Sequence, residues 1–407
     1  MNWQSIMKQC RGRHGRPVLL LMLSVCFFAC ARVEANQPVY LQMVTVGDPG
    51  NAADTNGYGA CAYTFRIEKY DVTQNQYAAY LNAVAATDTY GLFDIRMQTN
   101  LDVAGIIRSG ASGSYTYSTF GTGNQPICYL HWYDAARFAN WMHNGQPTGA
   151  QNAATTEQGA YTLNGSTNGI ILKNGGAHFW VPTADEWYKA AYYDQSLNSG
   201  AGGYWFYPTR SNVAPGNSIG GASNQANIFI RSPGPGYSVT QSTNGDATQN
   251  YLTDGGAYTG SASYYGTFDQ GGNMYQWNDE VIAGTKRGLR GGSWPGSAFF
   301  LMSSYNPGVI PFTIRQDYSL RLATIATPAV NNSELAAPKI NISGTNVNFT
   351  ISASVLGRSY QLQSCNDLPG ANWQNSGLTQ VGTGNNLVIS AFFNPATPRR
   401  FYRLKLF

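Results

Sequence analysis

Residues 265–277 read Y-G-T-F-D-Q-G-G-N-M-Y-Q-W, and residues 287–294 follow after a short gap as R-G-L-R-G-G-S-W. Each half contains a glycine pair, and glycine gives the backbone the freedom that a tight turn requires. Neither pair is followed by Lys and then Ser or Thr, so the stretch is not a phosphate-binding loop of the Walker type. It predicts a tight turn that leads into a buried strand carrying R-G-G-S-W.

A helix is predicted after Thr73. The Thr73 side chain can accept a hydrogen bond from the amide of Gln76 while Gln76 reaches back to the amide of Thr73, which is the pattern of a capping box. The helix is expected to run to about Ala86. Helical spacing gives it one apolar face, formed by Tyr77, Tyr80, Leu81 and Val84.

Two further helices and one strand are predicted in the middle of the chain. A helix over residues 132–143 has Asp134 near its positive end, where a carboxylate is favourable. Another begins at a second capping box, made by Thr183 and Glu186. Residues 178–181, H-F-W-V, predict a short strand.

Long loops separate these elements. Residues 144–177 and 195–263 are rich in Gly, Asn, Ser and Thr, and show little periodicity. Loops of this length are uncommon in compact domains, so they must be held by something other than helices and strands. A bound metal is one candidate.

Several motifs of this chain resemble, in order, those of the sulfatase-modifying factors, also called formylglycine-generating enzymes. In this sequence they are Y-D-V-T-Q-N-Q-Y at residues 70–77, W-Y-D-A-A at 132–136, V-P-T-A-D-E-W at 181–187, G-N-M-Y-Q-W at 272–277 and R-G-G-S-W at 290–294. The resemblance spans about residues 38–325. It implies an α+β fold that is irregular and loop-rich, related to C-type lectins, with bound calcium.

The resemblance places a first calcium site at the glycine turn. Its ligands would be Asp269, the carbonyls of Gly272 and Met274, and Gln276. Calcium accepts such mixed oxygen sets in flexible geometry. The family has Glu where this chain has Gln276, which removes one negative charge, and Asp269 restores one. The alternative is that Asp269 only caps a turn.

A second calcium site is also implied by the resemblance. It would use Asn227 and the carbonyl of Ile228, together with Asp246 and the carbonyl of Thr248. Calcium is thus the expected structural cofactor.

The activity of the family depends on two cysteines, five residues apart, shortly after R-G-G-S-W. A thiolate pair holds copper(I) there, because soft sulfur ligands suit that ion. By spacing, the pair falls near Ala298 and Ser303, so copper is not expected in this chain. After residue 35 the sequence contains only Cys61, Cys128 and Cys365, an odd and scattered set that does not predict a disulfide framework.

The iron-dependent sulfoxide synthases, another branch of the same fold, carry an H-x-x-x-H-x-E motif. The three histidines after residue 35, His131, His143 and His178, do not have this spacing. His131 and His143 would lie roughly 18 Å apart along one helix, too far to share an ion. A histidine-bound metal is therefore not expected.

The favoured hypothesis is a binding protein without oxidase activity. In the enzymes of the family a cleft presents the substrate peptide, and here Phe299, Phe300, Met302 and Tyr305 would line it. A peptide, a glycan or a surface polymer would be the ligand. Two alternatives stay open: an oxidase of sulfatase cysteines with altered chemistry, and a structural component of the cell envelope.

The first 35 residues have the pattern of a secretory signal peptide. Lys8, Arg11, Arg13 and Arg16 precede an apolar run at residues 18–31. The 14 residues of that run fall short of the roughly 20 that a membrane-spanning helix needs. Export to the periplasm, the cell surface or the medium is expected. Lipidation of Cys30 is the alternative.

The net charge of the chain is different without this segment. Residues 1–35 hold five of the 25 Lys and Arg and one of the 21 Asp and Glu, which leaves 20 of each. A neutral chain does not have the basic surface that nucleic-acid binding requires. Nucleic acid is therefore excluded as an expected partner, and the oligomeric state stays open.

The composition changes after the domain proposed at residues 36–326. Residues 327–339, T-P-A-V-N-N-S-E-L-A-A-P-K, predict a linker. Residues 340–407 then alternate apolar and polar side chains at N-V-N-F-T-I, Y-Q-L-Q and F-Y-R-L-K-L. This pattern predicts a small antiparallel β-sandwich, which would act as a spacer or adhesion module.

The signal peptide predicts a defined mature N-terminus. When the full-length gene is expressed in a secreting host, we expect cleavage after Ala35, because Val33-Glu34-Ala35 supplies the small-residue cleavage signal. Intact-mass and N-terminal peptide analysis should then find a chain that starts at Asn36. A lipid-modified chain starting at Cys30 would instead establish the lipoprotein alternative.

Overall fold

The structure is a computed structural model of the 407-residue chain. It describes residues 38–325, 339–343, 346–351, 354, 359–365, 374–376, 379–382, 386–392 and 401–406. The signal peptide expected at residues 1–35 lies outside the described residues. So does the linker expected at 327–339, except Lys339, which begins a strand.

Helices are few and short. They are α1 Gln74–Val84, α2 Arg96–Thr99, α3 Trp132–His143, α4 Ala184–Tyr192 and α5 Leu197–Gly200, with a π-helix at Ala153–Glu157 and a 3-10 helix at Ala298–Leu301.

Strands are numerous and mostly of two to six residues. They are β1 Met43–Val46, β2 Phe65–Glu68, β3 Ile106–Ser109, β4 Thr116–Thr119, β5 Phe179–Trp180, β6 Tyr193–Asp194, β7 Gly203–Tyr204, β8 Phe229–Ile230, β9 Gly236–Tyr237, β10 Tyr275–Ile282, β11 Lys286–Arg290, β12 Gly308–Val309, β13 Tyr318–Ser319, β14 Ala323–Ile325, β15 Lys339–Ser343, β16 Asn346–Ile351, β17 Ser359–Cys365, β18 Gln374–Asn375, β19 Gln380–Val381, β20 Leu387–Phe392 and β21 Phe401–Leu406.

The capping boxes form as the sequence predicts. The amide of Gln76 donates to the Thr73 hydroxyl over 3.3 Å, and the amide of Thr73 donates to Gln76 Oε1 over 2.8 Å. Thr183 and Glu186 do the same at the start of α4. The apolar face predicted for α1 is buried, and the helix ends at Val84, two residues before the predicted end.

Helix α3 has the predicted bounds, but its cap was not predicted. His131 Nδ1 accepts from the amide of Asp134, and the Asp134 carboxylate accepts from the amide of His131. Histidine thus takes the place that Ser, Thr, Asp or Asn usually has. Trp132 and Trp141 of α3 lie in the core with Trp277.

Two four-stranded sheets organise the main domain. One has the order β1-β2-β14-β5, so strands from the beginning and the end of the domain pair directly. The other has the order β12-β11-β10-β13, and in it Gln276 faces Arg290. The two halves of the sequence motif therefore form one antiparallel pair.

Side-chain amides hold the long loops. Within α3, Asn140 Nδ2 donates to the carbonyls of Thr156 and Tyr161 over 2.7 and 2.9 Å, and its Oδ1 accepts from the amide of Tyr161 over 2.7 Å. Asn217 Nδ2 donates to the carbonyls of Ile228 and Gly236 over 3.0 and 2.8 Å. Buried backbone groups must find partners, and here the amides supply them.

The C-terminal strands confirm the β-sandwich. One sheet has the order β15-β16-β20, and the other has β17 between β18 and β19, with β21 also paired to β17. The alternation in β16 buries Val347, Phe349 and Ile351, which share a core with Tyr360 and Leu362 of β17. Among the described residues of the whole chain, no helix is long and apolar enough to cross a membrane.

The role of the loop-holding amides can be tested at Asn140. We expect Asn140→Ala to lower the free energy of unfolding by about 2–4 kcal/mol, because three backbone groups in the core lose their partner. Chemical denaturation of the wild type and the variant would measure the loss. Asn244→Ala, at an exposed position of the 242–248 loop, is the control and should change little.

Candidate functional site

The glycine turn predicted by the sequence packs against a second loop. Gly272 has a φ of +81°, and a Cβ there would lie 2.5 Å from the carbonyl oxygen of Asn227. The amide of Asn273 donates to that same carbonyl over 2.9 Å, and Asn227 Nδ2 donates to Asn273 Oδ1 over 3.0 Å. Only glycine allows this close approach.

The predicted R-G-G-S-W strand is shorter than expected. Strand β11 ends at Arg290, although Ser293 and Trp294 are buried. Gly291 and Gly292 have φ values of +100° and +69°, so the backbone leaves the strand there. The prediction of burial is confirmed, and the prediction of a strand beyond Arg290 is wrong.

Gln276 lies fully buried at the centre of the site. Its Oε1 accepts from Trp187 Nε1 and from Arg321 Nε, both over 2.7 Å. Its Nε2 donates to the carbonyl of Asp269, also over 2.7 Å. The amide orientation is fixed, because both neighbours of Oε1 are donors.

Arg321 binds the surrounding loops through the rest of its guanidinium group. It donates to the carbonyls of Glu68 and Phe268 over 2.9 and 2.8 Å, and to the carboxylate of Asp71 over 3.0 Å. Burial raises the pKa of Glu68 and of Asp71 to about 8, although Arg321 lowers both. Burial also raises the pKa of Asp269 to about 6.

The residues of the first predicted calcium site lie together but do not fit the ion as arranged. Gln276 Oε1 already accepts two hydrogen bonds, and its NH2 group is directed to the Asp269 carbonyl. One Asp269 carboxylate oxygen accepts from the amide of Gly256, and the Gly272 carbonyl accepts from the amide of Met274. Calcium binding at this site stays a prediction.

The second predicted site is not assembled as a cluster of oxygens. Asn227 and Ile228 are buried, and the Ile228 carbonyl accepts from Asn217 Nδ2. Asp246 and Thr248 lie on an exposed loop, where the Asp246 carboxylate accepts from the Thr248 amide and hydroxyl. Within the part of the chain that the structure describes, no three His, Cys, Asp or Glu side chains group as metal ligands.

Neither position assigned to the family cysteines carries a thiol. Ala298 begins the 3-10 helix, and Ser303 follows it, buried. The Ser303 hydroxyl lies 3.4 Å from Asn56 Nδ2, and its carbonyl accepts from Arg290 over 3.1 Å. A serine hydroxyl is not a ligand for copper(I), which prefers soft sulfur donors.

The cysteines outside these positions are buried and apart. Cys61 is 4% exposed and Cys128 is 1% exposed, while Cys365 is buried in β17 of the C-terminal sandwich. Burial raises the pKa of Cys61 to about 12 and that of Cys128 further still. These thiols are protonated at neutral pH, and a protonated thiol is a poor nucleophile.

The four residues predicted to line a ligand cleft are not all on one surface. The rings of Phe299, Phe300 and Tyr305 contact one another edge to face, with centroids 5.1–5.5 Å apart. Phe299 is 58% exposed and Phe300 and Tyr305 are half-buried, so these three form a partly exposed aromatic patch. Met302 packs instead against the apolar cluster that contains Ile228.

A cluster of polar groups and tyrosines lies beside this patch. Asn306 Nδ2 donates to Glu280 over 2.8 Å and to the Tyr58 hydroxyl over 3.0 Å, and Tyr58 donates to Glu280 over 2.7 Å. The guanidinium carbon of Arg290 lies 4.4 Å from the Tyr58 ring centroid and 5.1 Å from that of Tyr188. Of these residues only Arg290 belongs to a motif that the sequence identified, and its contacts here are structural.

An open cleft of about 650 Å³ is lined in part by residues 48–55, and no sequence pattern predicted it. Its lining includes Asp48, Asp54, Tyr193, Gln195, Asn198 and Tyr204. Asn51 Nδ2 donates to the Tyr204 hydroxyl over 2.7 Å, across 153 positions of sequence. No local pattern marks such residues, because only the fold brings them together.

Two histidines that are distant in sequence also meet. The ring centroids of His143 and His178 are 4.7 Å apart, and His143 Nδ1 accepts from the amide of His178 over 3.0 Å. Burial lowers the pKa of both, and for His143 the neighbouring His178 lowers it further. The pair connects α3 to the residue that precedes β5, so its role is structural.

The irregular α+β domain, with its buried glycine turn and its paired motif strands, is a sulfatase-modifying-factor domain. The chain belongs to the family described as sulfatase-modifying factor enzyme 1-like domain, whose model matches residues 54–326. A search of curated proteins found no match.

Solved structures with a similar fold include CarF, with 20% identity over 71% of this chain and 100% of that chain, and a TM-score of 0.43. Treponema denticola variable protein 1 has 17% identity over 70% and 95% of the two chains, with a TM-score of 0.39. PvdO from Pseudomonas aeruginosa has 16% identity over 71% and 93%, with a TM-score of 0.36.

The burial of the cysteines predicts their reactivity. A chain that starts at Asn36 has three thiols, and we expect none of them to react with a thiol reagent such as DTNB in the native state. All three should react in denaturant. Rapid labelling of the folded protein at pH 7 would contradict the inert role assigned to Cys61 and Cys128.

Proposed function

We propose that this protein is an exported binding protein of the sulfatase-modifying-factor family without thiol oxidase activity. The observation that carries the proposal is that the expected oxidase position has no thiol while an open cleft is present in the same domain. Ser303 stands at that position, and its hydroxyl lies 3.4 Å from Asn56 Nδ2. The cleft is lined by residues 48–55 and by side chains that include Tyr204. The proposed protein would therefore lack the thiolate ligands for copper(I) and have room for another ligand.

The lining of the cleft favours a hydroxyl-rich ligand, a glycan or a surface polymer. The half-buried Tyr204 ring packs edge to face on the buried ring of Tyr193, with centroids 5.2 Å apart, so it is held in place to contact the apolar face of a sugar. Asp48 and Asp54 add carboxylate acceptors at the rim. A ligand with many hydroxyl donors matches this set of acceptors.

The rim also has a strained backbone, which supports a binding role. Asp48 and Asn198 both have a φ of 53°, in the left-handed region that side chains other than Gly rarely adopt. Such conformations persist only where the surroundings enforce them, and they concentrate at ligand sites. The cleft is therefore held in a fixed shape.

The proposal is tested by blocking the cleft without removing any hydrogen bond. Ala53 is an exposed lining residue, and we expect Ala53→Trp to weaken glycan binding by about tenfold or more, since the indole would fill the space of the ligand. A glycan array would identify the ligand, and titration calorimetry would measure both variants.

Ala111→Trp is the matched control, because Ala111 is equally exposed but lies in the loop between β3 and β4. Equal weakening by both substitutions would contradict the assignment of the cleft. Peptide binding with no glycan binding would keep the cleft but change the class of ligand. No binding to either would favour the structural alternative, a component of the cell envelope.

The second candidate function is oxidation of a sulfatase cysteine, and membership of the family favours it. It requires copper(I) to bind and formylglycine to form. Copper(I) titration with a cysteine-containing sulfatase peptide tests both, with mass spectrometry as the readout. Stoichiometric tight copper or formylglycine product would overturn the binding proposal.

A further inference from the structure

Two loops of the domain, residues 217–252 and 269–276, are the ones for which the family resemblance implies calcium. The structure shows what holds each of them, atom by atom. We propose that in this chain neutral amides and one buried guanidinium replace both calcium ions, so that the folded domain does not depend on calcium.

The neighbours of Gln276 determine the orientation of its side-chain amide. Trp187 Nε1 and Arg321 Nε can only donate, so the oxygen of the amide must face them. The NH2 group is then left on the side of the Asp269 carbonyl, to which it donates. A Glu at this position would keep the same two contacts and present a second oxygen there.

That difference decides whether a cation can bind. A calcium ion needs oxygen lone pairs around it, and the hydrogens of an NH2 group carry partial positive charge. The NH2 group of Gln276 therefore lies where the ion would bind, and it acts there as a hydrogen-bond donor. It also supplies the contact that the ion would make, because it holds the loop of Asp269 against β10.

The positive charge beside Gln276 comes from Arg321. Arg321 already puts a guanidinium in the core, 2.7 Å from Gln276 and within hydrogen-bond distance of the carbonyls of Glu68 and Phe268. It is wholly buried, and Asp71 is its carboxylate partner. The Asp71 carboxylate therefore already has a cationic partner and is not free to bind a second cation.

In the loop of residues 217–252, a side-chain amide again binds a carbonyl that the family resemblance assigns to calcium. Asn217 Nδ2 donates to the carbonyl of Ile228, which is an expected calcium ligand, and to that of Gly236. The expected carboxylate, Asp246, binds within its own exposed turn. The Tyr251 side chain separates them, since its hydroxyl accepts from the Asp246 amide while its carbonyl accepts from Asn227.

The wild-type protein gives the first test. Its melting temperature should be the same in EDTA and in millimolar calcium, and the purified protein should hold no calcium by elemental analysis. A melting temperature that falls in EDTA and recovers with calcium, or one equivalent of tightly bound calcium, would overturn the proposal.

The second test restores the missing oxygen. In EDTA, Gln276→Glu should melt below the wild type, because it removes the donor to the Asp269 carbonyl and sets a carboxylate oxygen against that carbonyl. Calcium should then raise the melting temperature of this variant while leaving the wild type unchanged.

Gln146→Glu is the matched control. Gln146 also donates to a backbone carbonyl and accepts from a backbone amide, both of Val39, far from the glycine turn in sequence. Its melting temperature should fall equally with and without calcium. If Gln276→Glu does not fold in EDTA, refolding it in calcium gives the same answer. Failure of calcium to help Gln276→Glu more than Gln146→Glu would contradict the assigned place of the ion.

Discussion

The contact between Arg321 and Gln276 is the one on which the rest of the main domain depends. The guanidinium joins residues 68–71, the 268–269 loop and β10, while Gln276 extends the network to α4 through Trp187. A buried charge is costly unless each of its donors is used. Here carbonyls meet most of them, so a single side chain fixes the relative positions of elements that have little regular structure to align them.

The sequence predicted the local features well. Capping boxes at Thr73 and Thr183 act over three residues, and the alternation in β16 acts over six, so both are visible in a short window. His131 was missed as a cap because propensities do not favour it. The hydrogen bonds that hold the loops were not predicted, for a different reason. The partners of Asn140 and Asn217 are backbone groups, which no residue type identifies.

Some features of the candidate site could likewise be predicted from the sequence, and others could not. The motif at 272–277 and the loss of both cysteines could be found from the sequence, since each is a matter of residue identity. The cleft could not, because Asn51 and Tyr204 meet only after the chain between them has folded. Family membership therefore establishes the fold of the domain, while the cleft depends on packing between segments that are distant in sequence.

The first sheet has a consequence for the order in which the domain forms. Strand β2 lies between β1, close to the start of the domain, and β14, at its end, with Phe65 opposite Ile325. Such pairing gives a high contact order, and long-range pairing is slow because the loop between the partners must close first. The sheet cannot be completed until residue 325 has been synthesised. A chain that ends before β14 would leave both β2 and β5 without the strand that they share.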